Sequence, residues 1–136
     1  MGNKKTKWLI YTVLVGLIPI LSRLIAWIVT KEGSIDLFSP SDFVAFGLIL
    51  HISNINEIEH FSGADQEWKT SQNGISITFI AFYSVLFALT LVGEAIVDVQ
   101  AIKICTVALS AVSLLISYSV YDRIAKAPNP TLGGAL

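Results

Sequence analysis

The sequence predicts an all-α membrane protein, with four transmembrane helices packed as a bundle over residues 1–126 and a flexible tail at 127–136. Three observations predict it. Apolar residues make up 54% of the chain and charged residues only 14%, against roughly 45–50% (glycine included) and about 25% in soluble globular domains. The apolar residues gather in long unbroken blocks instead of marking one face of each segment. Too few polar residues remain to shield those blocks from water, so acyl chains are the better solvent.

The first block covers residues 8–30 and follows Lys4, Lys5 and Lys7. As a helix it extends about 34 Å at ~1.5 Å per residue, enough to cross a bilayer with some tilt. It is longer than a secretory signal and ends without a small-residue cleavage site, so a retained helix is expected. The second block, residues 42–58, is weaker. Only residues 43–50 are continuously apolar, and His51, Ser53, Asn54, Asn56 and Glu57 follow. Ser41 and Asp42 after Pro40 supply side-chain oxygens for the free N–H groups of a first helical turn. Polar residues within this helix are expected to face protein instead of lipid; a re-entrant segment is the alternative.

A polar connection at residues 59–74 contains Trp68, expected as an interfacial anchor. Helices over residues 75–98 and 102–122 then form an antiparallel hairpin. Four spans place Lys4, Lys5, Lys7, Lys69, Arg123 and Lys126 on one side, against Lys31 and Lys103 on the other. The excess of positive charge assigns both termini to the cytoplasmic side of an inner membrane.

Ionisable groups inside a span are expensive in lipid and are candidates for function. Arg23 and Glu94 are expected at similar depth in the first and third helices, paired across the bundle or between subunits. Pro19 predicts a kink, with Gly16 allowing a close helix approach. Thr106, Ser110, Ser113 and Ser117 recur at steps of four, three and four, which puts four hydroxyls on one stripe of the fourth helix. Such a stripe serves tight packing or oligomerisation, or lines a water-filled path. His51 shares a face with Gly47 and Asn54. It is either a hydrogen-bonded histidine inside the bundle or a proton-responsive group.

The single Cys105 allows no intrachain disulfide. Glu57 and His60 form one Glu-x-x-His step, but the partner carboxylates of a di-metal bundle do not accompany it, so no metal and no cofactor is expected. No nucleophile–base arrangement, phosphate loop or zinc spacing occurs, and the expectation is a protein that is not an enzyme. No basic stripe with interleaved aromatics points to direct nucleic-acid binding. Glu59, Asp65, Glu67, Arg123 and Lys126 form the surface expected to face a cytoplasmic partner.

Three segments carry a family resemblance: Leu17-Ile18-Pro19 with Arg23, Phe38-Ser39-Pro40-Ser41-Asp42, and Ile52-Ser53-Asn54-Ile55-Asn56-Glu57. With the four-span layout they resemble small bacterial membrane proteins of anti-phage defence, in particular the membrane subunit of the Kiwa system. That resemblance implies a homo-oligomer, a tetramer, that senses phage attack at the inner membrane. It also implies a cytoplasmic effector subunit that binds DNA and blocks phage replication, this chain being sensor and scaffold. From the residues alone, a small oligomeric channel lined by His51, Asn54 or the hydroxyl stripe stays open beside it.

Overall fold

The computed structural model describes residues 6–61 and 66–126. The expected tail at 127–136 and Asp65 lie outside those residues. A π-helical turn, Trp8–Val13, runs directly into α1, Leu14–Val29. It is followed by α2, Pro40–His60, then α3, Gln66–Thr90, and α4, Val99–Lys126. Among the described residues every regular element is helical.

Three of the helices are long and apolar enough to cross a membrane: Ile10–Val29, Gln66–Thr90 and Val99–Lys126. Their surfaces are turned outward. Only 6%, 11% and 22% of the respective spans is buried inside the protein. Ile18, Ile25 and Ile28 of α1, Ile77 and Val85 of α3, and Ile104 and Leu115 of α4 are all exposed. Among the described residues the interior, by contrast, holds seven buried polar side chains: His51, Asn54, Ser76, Thr106, Ser110, Ser113 and Ser117. A water-soluble fold arranges these classes the other way round. An apolar exterior, with polar side chains gathered inside beside the apolar core, is the arrangement that lipid favours.

α2 is the axis of the bundle. It packs on α1, α3 and α4, and it buries Val44, Phe46, Gly47, Leu50, His51, Asn54 and Ile58. It starts two residues before the predicted boundary. Pro40 occupies the first turn, where its missing N–H costs nothing, and extended Ser39 is the N-cap. Gly16 of α1 faces Phe46, so close that a Cβ there would lie 2.9 Å from the ring. Pro19 lies inside α1. Gly47 is tighter still, since a Cβ at that position would overlap the Tyr83 ring of α3.

Three further boundaries differ from expectation. α3 begins at Gln66, not 75, because its first two turns have protein to lean on. Trp68 packs on the Ile58, Val120 and Ile124 cluster and meets Phe61 edge-on. α3 also stops at Thr90, not 98. The following turn needs a positive φ at Gly93, a conformation that glycine adopts without strain. α4 begins at Val99, not 102, with the Asp98 carboxylate accepting from the N–H groups of Gln100 and Ala101 at 3.0 and 3.2 Å. Asp98, the last residue of the third helix as expected from the sequence, is instead the N-cap of α4.

Two glycines give a paired test of this packing. Gly47→Ala forces a methyl into the Tyr83 ring and is expected to cost about 1–3 kcal/mol. Gly74→Ala, where a methyl meets nothing within 4 Å, is expected to add roughly 0.5–1 kcal/mol through helix propensity. Thermal melts in detergent should therefore shift in opposite directions, and equal shifts would contradict the close α2–α3 approach.

Candidate functional site

The candidate site is the polar seam where α2, α3 and α4 meet. His51 lies at its centre, fully buried. Its Nδ1 is 3.1 Å from the Ser76 hydroxyl of α3, and its Nε2 is 2.8 Å from the Ser113 hydroxyl of α4. A neutral imidazole donates through one nitrogen and accepts through the other, so two hydroxyls satisfy it without charge. Phe79 stacks on the ring at 4.9 Å between centroids. The Tyr83 hydroxyl, 2.7 Å from Ser113, extends the seam along α3. On α4 the Ser110 hydroxyl donates to the Thr106 carbonyl, and Thr106 donates to the Lys103 carbonyl at 3.0 Å.

The four hydroxyls of α4 are thus one stripe, and that stripe is used inside a single chain. Thr106, Ser113 and Ser117 have no exposure and Ser110 has 4%. Small side chains let α4 approach α2 closely, and two of them also hydrogen-bond to its own carbonyls.

One turn beyond His51 the seam changes character. Asn54 is fully buried, yet neither its amide nitrogen nor its carbonyl oxygen has a hydrogen-bond partner in the protein. The Ser117 hydroxyl is unpaired in the same way. His51 faces Ser113, so the parallel course of α2 and α4 brings Asn54 to the level of Ser117. Unpaired amides at this depth are rare and costly, about 1–3 kcal/mol each.

A second chain of hydroxyls ties α1 to the bundle. Thr12 lies 3.3 Å from Ser53, and Ser53 lies 2.7 Å from the Tyr121 hydroxyl. Ser53 was expected from the sequence to face protein, whereas Thr12, Ser76, Tyr83 and Tyr121 were not singled out. For Ser76 and Tyr83 a signal existed: they are seven residues apart, hence on one face of α3 two turns from each other.

Within the chain, Arg23 does not pair with Glu94. Its guanidinium donates to the Asp42 carboxylate in the first turn of α2. Glu94 lies beyond the end of α3, exposed, in the turn that Gly93 opens. Extending α3 to residue 98 had kept Glu94 inside a span. The short connection between α1 and α2 instead returns Asp42 to the depth of Arg23. At the same end Lys103 approaches Asp36 at 3.6 Å.

At the opposite end, Glu59 and Glu67 are exposed. Arg123 lies over the Trp68 ring, 4.5 Å from its centre, and Lys126 pairs with Asp122 at 3.0 Å. His60 bonds to the Asn56 carbonyl of its own helix at 2.8 Å. Cys105 is exposed on α4.

No protein-family model, curated protein or solved structure matches this chain. The geometry of the seam therefore carries the functional argument by itself. That geometry suits orientation and packing: neutral donors and acceptors from three helices set helix rotation, and the imidazole has both nitrogens occupied.

Two outcomes follow for variants. His51→Leu strands Ser76, leaves Ser113 with Tyr83 alone and should lower the melting temperature in detergent, whereas Asn54→Leu removes two unpaired atoms and should leave it unchanged or raise it. For the ion pair, Arg23→Asp should reduce the yield of folded protein, and adding Asp42→Arg should recover part of it. Recovery with Glu94→Arg in place of Asp42→Arg would contradict the pairing seen here.

Proposed function

We propose that this chain is a membrane-embedded, non-catalytic sensor and scaffold. In this reading all four helices cross the bilayer, α2 sheltered by the other three. Both termini and the α2–α3 connection face the cytoplasm. Copies associate through the apolar outer faces of the bundle, and the cytoplasmic end docks a soluble effector.

The observation that carries this reading is where the polar groups are spent. His51 and the α4 hydroxyls bond within one chain, and the exposed surfaces of the spans are apolar. Polar rows of that kind on an outer surface would instead suit a pore assembled between copies. The unpaired Asn54 and Ser117 support the sensing half. A seam that leaves buried groups unsatisfied in one packing gains hydrogen bonds if a small helix rotation supplies partners, which is the property of a two-state element. The mixed-sign end formed by Glu59, Glu67, Arg123 and Lys126 supports the docking half. Lys7, Lys69, Arg123 and Lys126 at that end, against Lys31 and Lys103 at the other, support the orientation. The resemblance to the membrane subunit of Kiwa points the same way and suggests anti-phage defence as the setting.

Protein reconstituted in liposomes is expected to pass no more ions than empty vesicles. Native mass spectrometry of the complex extracted from its own cells should show several copies of this chain with a soluble protein in fixed ratio. Ion flux that His51→Leu abolishes would overturn the scaffold reading in favour of a pore.

A further inference from the structure

A cavity of about 340 Å³ opens where the π-helical turn before α1 meets the last turns of α2 and α4. Its wall includes Lys7, Trp8, Tyr11, Thr12, Glu57 and Tyr121. The volume falls within the ~300–1,000 Å³ range of small-molecule sites.

Three features of the wall point to one class of occupant. The first is charge. Lys7 and Glu57 both line the cavity, and neither is in an ion pair with a described residue. One unpaired cation and one unpaired anion match a zwitterion; a purely anionic group would leave Glu57 facing like charge. The second is depth. Lys7 and Trp8 immediately precede the apolar span that starts at Ile10, and Tyr121 lies near the end of the span that closes at Lys126. Lysine, tryptophan and tyrosine at span ends mark the level of lipid headgroups. The third is backbone. Trp8, Tyr11 and Thr12 all belong to the π-helical turn Trp8–Val13, a rare geometry that concentrates at functional sites.

We propose that this cavity is a phospholipid headgroup site selective for a primary ammonium beside a phosphate, as in phosphatidylethanolamine. The ammonium donates to Glu57, and the phosphate accepts from Lys7 and the Tyr11 hydroxyl. A quaternary ammonium has no N–H to donate, and it would depend on aromatic faces. One face of Trp8 is already taken by Tyr121, stacked at 4.7 Å between centroids. The inference rests on α1, α3 and α4 being lipid-embedded and not on the scaffold reading. A bound headgroup would join the start of α1 to α2 and α4 at the end of the bundle where Thr12, Ser53 and Tyr121 already link them.

The test uses the full chain in nanodiscs of phosphatidylcholine doped with phosphatidylethanolamine or phosphatidylglycerol, released for native mass spectrometry. Wild type should retain phosphatidylethanolamine, one per chain, several-fold above the other two headgroups. Glu57→Gln should bring ethanolamine retention down to the choline level, and Lys7→Met should weaken retention of all three. Glu32→Gln, on an exposed site in the connection between α1 and α2, should behave as wild type. Melting temperatures separate binding from folding. Glu57→Gln should match wild type in pure phosphatidylcholine and lose only the increment that phosphatidylethanolamine adds. Equal retention of all three lipids by wild type, or unchanged selectivity in Glu57→Gln, would overturn the site. Displacement of the lipid by an equal concentration of glycerophosphoethanolamine would overturn the lipid as occupant and assign the cavity to a soluble zwitterion. Retention is read per chain, so loss of self-association or of an effector does not enter these outcomes.

Discussion

A bilayer offers no hydrogen-bond partners to the groups it surrounds, and that constraint organises this protein. Polar side chains on α2 and α4 bond to one another and to α3, and Ser53 and Asp42 of α2 bond to Thr12 and Arg23. The bundle therefore closes around a seam running through His51, Ser76, Ser113 and Tyr83. Apolar attraction between helices contributes little where the solvent is itself apolar, so hydrogen bonds and close packing decide which faces meet. The seam supplies both. Small hydroxyl residues bring the backbones together, and the imidazole fixes rotation by bonding to two helices at once.

Everything else about α2 follows from that choice. Its second half is too polar for lipid, so the other helices enclose it, and its buried residues run from Val44 to Ile58. The α2–α3 contact is close because Gly47 leaves room for the Tyr83 ring, which puts the tyrosine hydroxyl on Ser113. α1 is held differently. It contributes few buried residues, and Gly16 against Phe46 together with the Thr12–Ser53–Tyr121 chain fastens it. The Arg23–Asp42 pair holds its other end. α1 is thus a peripheral helix fastened at both ends with an apolar outer face between them, while the seam keeps α2, α3 and α4 in register.

Asn54 and Ser117 interrupt a seam whose other polar side chains are hydrogen-bonded. Natural cores tolerate few such groups, because each costs more than an apolar residue of similar shape. Their position next to a complete hydrogen-bond cluster makes the seam uneven, tight at His51 and frustrated one turn away. Strain of that kind is where a bundle has the most to gain from a second packing, and it lies in the half of α2 that leads to Glu57 and the headgroup cavity.

Some of this was legible in the residues alone. Block length and hydropathy are local properties, so three long apolar helices, α1, α3 and α4, could be read directly. Helical periodicity placed Thr106, Ser110, Ser113 and Ser117 on one stripe, and Gly47, His51 and Asn54 on one face of α2, because 3.6 residues per turn holds whatever the neighbours are. The tertiary structure alone decided which faces meet. Rotation and register between helices are set by side chains far apart in sequence, and no local rule carries that information. Hence Ser76 and Tyr83 as partners of the seam, Asp42 in place of Glu94 for Arg23, and the early start of α3 under Trp68 appear only once the helices are packed.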